Sequence, residues 1–224
     1  MSKVGIIANT SSGRDIRRLV GYGSVYNNEE KINILKRIIT ALKFTGVEEI
    51  FYMPDPYDLV ETAIDKLNRS DLVKIKDSLH KLDMKVNGSK SDSVVAGYLF
   101  AHMKADCVIV LGGDGTSKAA VMGCGNTPIL PLSTGTNNVF PYQLEGSCAG
   151  LVAGIYSVKR IVSSRTVTKR KHLNLYINGV FKDIALIDLV VYDDPFISNR
   201  ALWKPEKILY VAVAKAGPGS IGMS

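Results

Sequence analysis

Two hydrophobic patterns alternate along the N-terminal two thirds of the chain. Short, nearly continuous apolar runs occupy residues 4–9, 50–53, 107–111 and 127–132, with a weaker run at 82–86. Longer segments with an apolar residue every three or four positions lie at residues 30–44, 55–67, 91–104 and 148–162. The first pattern is typical of strands buried on both faces of a parallel sheet, and the second of helices with one buried face. Their alternation predicts an α/β fold with a doubly wound, mostly parallel sheet.

The pattern changes after residue 164. Hydrophobic and polar positions alternate over residues 173–177, and the Asn178-Gly179 pair that follows is a hairpin signal. Further strand-like runs lie at residues 185–192 and 208–214. We therefore expect two domains, an α/β domain at residues 1–164 and a β-rich domain at residues 165–224.

The composition is ordinary for a soluble globular protein, since 46% of the 224 residues are hydrophobic and 22% are charged. No stretch approaches the roughly 18 to 20 apolar residues that a membrane helix needs, and the first apolar run is too short for a signal peptide. We therefore expect a cytoplasmic protein without a membrane partner. The three cysteines and three histidines lack metal-ligand spacing, which predicts no protein-bound metal.

The formal net charge is +7, and basic residues cluster at residues 14–18 and 169–172. A positive field would attract polyanionic small molecules, although ordinary solvated surface charge explains each cluster equally well. The chain has no recognised nucleic-acid-binding motif. The expected partners are therefore small molecules and not nucleic acids.

A glycine-rich loop follows the apolar run at residues 107–111. Its sequence is Gly-Gly-Asp-Gly-Thr, and a helix-compatible segment follows at residues 117–121. In open α/β sheets ligands bind at the carboxyl ends of strands, where this loop must lie. Glycines let backbone N–H groups approach phosphate oxygens, and a helix N-terminus adds partial positive charge. The predicted phosphate-binding residues are Gly112, Gly113, Gly115 and Thr116.

Asp114 is the unusual member of this loop, because a carboxylate repels phosphate. Its presence suggests a task such as accepting a proton from an attacking hydroxyl or helping to hold Mg²⁺. The alternative is that Asp114 only caps the following helix. We assign Asp114 the catalytic position.

A second polar loop follows the run at residues 127–132. Its neutral donors suit ribose hydroxyls and amides, although a surface turn could have the same composition. The first apolar run also ends in a polar residue, Asn9, which would reach the same edge of the sheet. The further predicted binding residues are Asn9, Thr134, Gly135, Thr136, Asn137 and Asn138.

These segments resemble the ATP-NAD kinase superfamily and, within it, the AcoX-type branch. The loop at residues 112–116 is similar to the superfamily signature, close versions of which occur in diacylglycerol, sphingoid and phosphofructo-kinases. The branch resemblance comes from Asn9 with residues 11–19, the Thr-Gly-Thr-Asn-Asn-Val-Phe-Pro run at residues 134–141, and residues 149–154. The likeness covers nearly the whole chain.

The resemblance implies an active site between the two domains. It also implies phosphoryl transfer from ATP or polyphosphate to the adenosine 2′-hydroxyl of NAD, giving NADP, with Mg²⁺ as helper. Asp114 would activate that hydroxyl, and Asp188 would hold the nucleoside. Family members tend to be homo-oligomers, so the small residues at 149–154 would serve either the core or a subunit interface.

Three departures from the family pattern leave alternatives open. Ile187 stands where an asparagine usually precedes the acid, and Thr10 stands where proline is usual. Relatives continue well beyond residue 224, so we expect an incomplete β-rich domain. The alternatives are a kinase for another hydroxyl acceptor, such as a lipid or a polyol, and a nucleotide-binding regulatory protein without catalysis.

Overall fold

The computed structural model describes residues 1–10, 26–68, 70, 75–134, 138–159, 166–194 and 204–215. Five parallel strands form its main sheet: β1 (Lys3–Ala8), β2 (Glu49–Tyr52), β3 (Leu79–Lys81), β4 (Cys107–Gly112) and β5 (Ile129–Ser133). The helices are α1 (Asn28–Phe44), α2 (Leu59–Asp65), α3 (Lys90–His102), α4 (Asp114–Cys124) and α5 (Gly146–Lys159). The strand order across the sheet is β3-β2-β1-β4-β5, with every pair parallel.

Side chains of the central strand β4 alternate between two hydrophobic cores, as the pleat of a strand requires. Ile109 and Leu111 join a core that includes α1, α2 and α5. Val108 and Val110 join a second core that includes α3 and α4. Helices therefore cover both faces of the sheet, which confirms the predicted doubly wound α/β fold.

Small residues let the helices pack closely in pairs. A Cβ atom added to Gly150 would lie 2.6 Å from the Cβ atom of Ala41 on α1, and one added to Gly154 would collide with Thr45. On the other face, a Cβ atom on Gly123 of α4 would collide with the carbonyl oxygen of Val94 on α3. The glycines of α5 thus pack inside this chain, against α1.

The third strand lies earlier than the sequence predicts, at Leu79–Lys81 instead of residues 82–86. The apolar run at residues 82–86 is misleading because β2, the strand beside β3 in the described sheet, ends at Tyr52. The backbone N–H of Leu82 still donates to Tyr52 O at 2.9 Å, but Pro54 then ends the extended neighbour. The later residues of the run therefore have no strand beside them.

The helix predicted from residue 55 begins four residues later, and the one predicted from residue 91 begins one residue earlier. Asp55 does not open α2; its carboxylate accepts from the N–H groups of Tyr57 and Leu59, each at 2.9 Å, and the helix begins at Leu59. The N-cap of α3 is Ser89, whose N–H donates to the buried Asp92 carboxylate at 3.2 Å. Asp55 thus competes with the first helical turn for backbone N–H groups, whereas Ser89 and Asp92 form a capping box that begins α3.

The described part of the β-rich region forms two antiparallel strand pairs, as its alternating pattern predicts. The first pair is β6 (Leu173–Ile177) with β7 (Val180–Ala185), and the second is β8 (Asp188–Tyr192) with β9 (Ile208–Val213). Asn178 and Gly179 have φ of 51° and 77°, the left-handed values that a two-residue hairpin turn needs. The single run predicted at residues 185–192 is divided between β7 and β8. The predicted boundary at residue 164 lies outside the described residues.

None of the helices in the described ranges has the length and apolar character needed to cross a membrane.

Candidate active site

The carboxyl ends of β1 and β4 lie side by side at the centre of the sheet, where Ala8 pairs with Leu111. The helix after β1 packs on one face of the sheet, and the helix after β4 packs on the other. This divergence forms the crevice in which open α/β sheets bind their ligands. The glycine-rich loop and Asn9 both lie at this crevice.

The three glycines of the loop have three different surroundings. A Cβ atom on Gly112 would lie 2.6 Å from Thr116, and one on Gly113 would lie 2.8 Å from Asn138 Oδ1. A Cβ atom on Gly115 would meet none of the described atoms within 4 Å. Internal packing thus accounts for Gly112 and Gly113, whereas no described atom limits a side chain at Gly115, at the start of α4.

Thr116 faces the protein interior. It is buried, and its Oγ1 accepts a hydrogen bond from Asn9 Nδ2 at 2.7 Å. This contact joins the ends of β1 and β4 through two side chains that sequence reasoning had assigned to ligand binding. Their ligand-binding roles stay predictions, but the contact gives both residues a part in shaping the crevice.

A lysine that sequence reasoning missed lies beneath the end of β1. Lys31 on α1 is 1% exposed, and its Nζ donates to the carbonyl oxygens of Asn9 and Thr10 at 3.1 and 3.0 Å. The signal was present in the sequence: Lys31 stands four, seven and eleven positions before Leu35, Ile38 and Leu42, on the buried stripe of α1. A charged residue on an apolar stripe is buried only with polar partners.

The second polar loop packs directly on the first. Thr134 is fully buried, and its N–H donates to Gly112 O at 3.2 Å. Asn138 Nδ2 donates to Ser133 Oγ at 2.8 Å, while its Oδ1 borders Gly113. Gly135, Thr136 and Asn137 lie outside the described residues. The loops after β4 and β5 therefore form one continuous edge of the crevice.

Asp114 contacts this second loop. Its Oδ1 accepts from the N–H groups of Val139 and Phe140 at 3.1 and 2.8 Å, and its Oδ2 lies 3.2 Å from Val139 N. The loop is brought there because Tyr142 pairs beside β5, with Ser133 N donating to Tyr142 O at 2.8 Å. These contacts hold the carboxylate against the second loop, and both donors belong to that loop and not to the helix that Asp114 begins.

The β-rich region reaches the same place through Lys215, which sequence reasoning also missed. Lys215 Nζ donates to Val139 O and lies 3.4 Å from Phe140 O. Its backbone N–H donates to Ile187 O at 3.1 Å. A second connection joins Lys118 of α4 to Asp183 of β7 at 2.5 Å, and this hydrogen bond lowers the pKa of Asp183.

Asp188 begins β8 beside Ile187 and pairs in register with Val213 of β9. Partial burial raises the pKa of its carboxyl group. Since Ile187 O accepts from both Ala214 N and Lys215 N, the start of β8 is joined to the residue that contacts Val139 and Phe140 in the second polar loop. Asp188 is therefore connected to the crevice through its neighbour Ile187, whose carbonyl oxygen accepts from Lys215 N, and through Lys215 Nζ, which donates to Val139 O.

Among the described residues there is no group of three or more His, Cys, Asp or Glu side chains able to hold a metal ion.

The fold and the crevice define the class of protein: a doubly wound α/β domain of the kinase type with an acidic glycine loop at the switch point of its sheet. Residues 4–142 match the model of the ATP-NAD kinase N-terminal domain, and residues 171–224 match the acetoin catabolism protein X C-terminal domain. The chain belongs to the ATP-NAD kinase family, and the second match agrees with the AcoX-type branch.

A curated relative supports the same assignment. The chain is 39% identical to acetoin catabolism protein X of Cupriavidus necator over 226 aligned positions. The alignment covers 99% of this chain and 63% of the relative. The chain thus spans less than two thirds of the length of that protein.

Proposed function

We propose that the chain transfers a phosphoryl group from ATP or polyphosphate, with Mg²⁺ bound to the donor, to the adenosine 2′-hydroxyl of NAD. The observation that carries this proposal is the Asp114 carboxylate, held at the mouth of the crevice by the N–H groups of Val139 and Phe140. A fixed acid next to Gly115, whose Cβ position meets no described atom, suits a reaction that depends on positioning and charge.

In the proposed reaction the hydroxyl oxygen attacks the terminal phosphorus, and the bond from that phosphorus to the donor's bridging oxygen breaks. The proton of the hydroxyl passes to Asp114. The N–H groups at the start of α4 lie beside Gly115, where phosphate oxygens would be stabilised by the helix N-terminus. Asp188 would contact the nucleoside of the acceptor.

The direct test is NADP formation by the purified chain from NAD, Mg²⁺ and either ATP or polyphosphate. The Asp114→Asn substitution should lower the rate by about 10² or more, because it removes the proton acceptor. Asp183→Asn is the matched control, since it changes an acid 44% exposed on β7 that contacts Lys118. Wild-type turnover by Asp114→Asn would exclude the assigned role.

A kinase for a different acceptor is the second candidate, and Ile187 is the observation that favours it. Its side chain replaces the amide that the family pattern places before the acid, so one polar contact to a nucleoside is missing. Thermal shifts with NAD, a polyol and a lipid headgroup compare the acceptors, since a ligand at 100 times its Kd stabilises by about 2.7 kcal/mol. A shift with NAD alone would argue against this candidate.

Tight NAD binding without turnover would instead favour a regulatory protein.

A further inference from the structure

Lys215 and Asp114 contact the two ends of one peptide group. Lys215 Nζ donates to the carbonyl oxygen of Val139, and the N–H of Phe140 donates to Asp114 Oδ1 at 2.8 Å. This carbonyl and this N–H belong to the same peptide unit, between residues 139 and 140. In a trans peptide the two groups point in opposite directions, so the ammonium and the carboxylate lie at opposite ends of its dipole.

This arrangement strengthens the bond to Asp114. A cation at the carbonyl oxygen draws electron density away from the N–H group, which then becomes a better donor to the carboxylate. Hydrogen bonds that include a charged partner are already shorter and stronger than neutral ones. The peptide thus transmits part of the attraction between two charges that do not touch.

Lys215 is itself well fixed. Its backbone N–H is bonded to Ile187 O, and its Nζ lies 5.6 Å from the ring centre of Phe140 and 5.8 Å from that of Tyr142. Cations at such distances from aromatic rings are attracted to the ring face. The backbone hydrogen bond and the two cation–ring contacts together hold Lys215 beside the 139–140 peptide.

We infer that Lys215 is a positioning residue through which the β-rich region orients Asp114 for proton transfer. The kinetic part of this inference rests on the proposed function, whereas the structural part does not. Lys215 acts through the 139–140 peptide and contacts no reacting atom.

The simplest competing explanation is that Lys215 only attaches the β-rich region to the α/β domain. The Lys118–Asp183 pair provides a matched control, because it also joins the two regions and its described hydrogen bonds do not include the 139–140 peptide. The test set is therefore Lys215→Met, Lys215→Arg and Lys118→Met.

The first measurement is the amide proton resonance of Phe140 in the ligand-free protein. Lys215→Met should move it upfield, because the N–H becomes a weaker donor to Asp114. Lys215→Arg retains the cation and should leave the resonance close to that of the wild type, as should Lys118→Met. An unchanged Phe140 resonance in Lys215→Met, or an equal shift in Lys118→Met, would overturn the inference whether or not the chain is an active kinase.

The second measurement is the kinetics of NADP formation. Lys215→Met should lower kcat on the order of tenfold with little change in KM, a loss comparable with one charge-assisted hydrogen bond. Lys215→Arg should recover most of that loss. An active wild type with unchanged kcat in Lys215→Met would also overturn the inference, whereas an inactive wild type would refute the proposed function and leave the resonance to decide.

Discussion

The α/β domain and the β-rich region differ in how much of their hydrophobic surface they bury. All six residues of β4 are buried, and two hydrophobic cores enclose the main sheet. In contrast, β6 has no buried residue, and β9 leaves Leu209 and Tyr210 68% and 61% exposed. The first region is held by apolar burial, while the second depends more on strand pairing and on polar contacts with its neighbour. The crevice lies where the two meet.

The largest effect expected from this difference concerns single apolar side chains. Ile109→Ala removes a fully buried side chain from the central strand and should cost about 2–5 kcal/mol of unfolding free energy. Leu209→Ala on β9 should change it by no more than about 0.5 kcal/mol, because the side chain is already exposed. Urea unfolding of both variants measures the two values. Equal losses would show that the β-rich region has a core of its own.

A smaller effect is expected from two glycines on the same helix. Gly123→Ala would force a methyl group against the backbone of α3 and should cost about 1–3 kcal/mol. Gly115→Ala at the start of α4 meets no described atom and should cost nothing, since alanine favours the helix. Thermal unfolding compares the pair. A normal melting temperature for Gly123→Ala would contradict the close packing of α3 on α4.

The smallest expected effect is on the pH dependence of stability, and it comes from Asp188 in the β-rich region. Burial raises the pKa of Asp188, so the folded state holds its proton more tightly than the unfolded state does. The ionised acid therefore opposes folding above the folded pKa, and this penalty disappears below the unfolded value of about 3.9. Asp188→Asn should raise the melting temperature slightly near pH 8 and leave it unchanged near pH 3. The reverse trend would place Asp188 in a stabilising ion pair.

The same contrast explains which features the sequence could predict. The continuous apolar runs predict the strands β1, β4 and β5, and the pattern is strongest for β1 and β4, which are buried on both faces. The edge strand β3 was displaced, since its pairing depends on where β2 ends. The loop residues at 112–116 were found from their composition, and the Asn178-Gly179 turn from its φ requirement.

The contacts between loops could not be predicted in this way. Lys215 contacts Val139 and Phe140, which precede it in the chain by 76 and 75 positions. No local sequence pattern encodes such a distant pairing. Likewise, Asp114 looked like either a helix cap or a base, and only the fold brings Val139 and Phe140 to its carboxylate. Lys31 is the exception, because a lysine aligned with Leu35 and Ile38 could have been noticed from spacing alone.

Isothermal titration of MgATP and of tripolyphosphate tests most directly the central claim that phosphate binds against the backbone at Gly115, where an added Cβ atom meets no described atom. Wild-type protein should bind, and Gly115→Ala should bind at least about tenfold more weakly, a difference of about 1.4 kcal/mol, while its melting temperature is unchanged. Equal affinity of the two proteins for both ligands would contradict the claim.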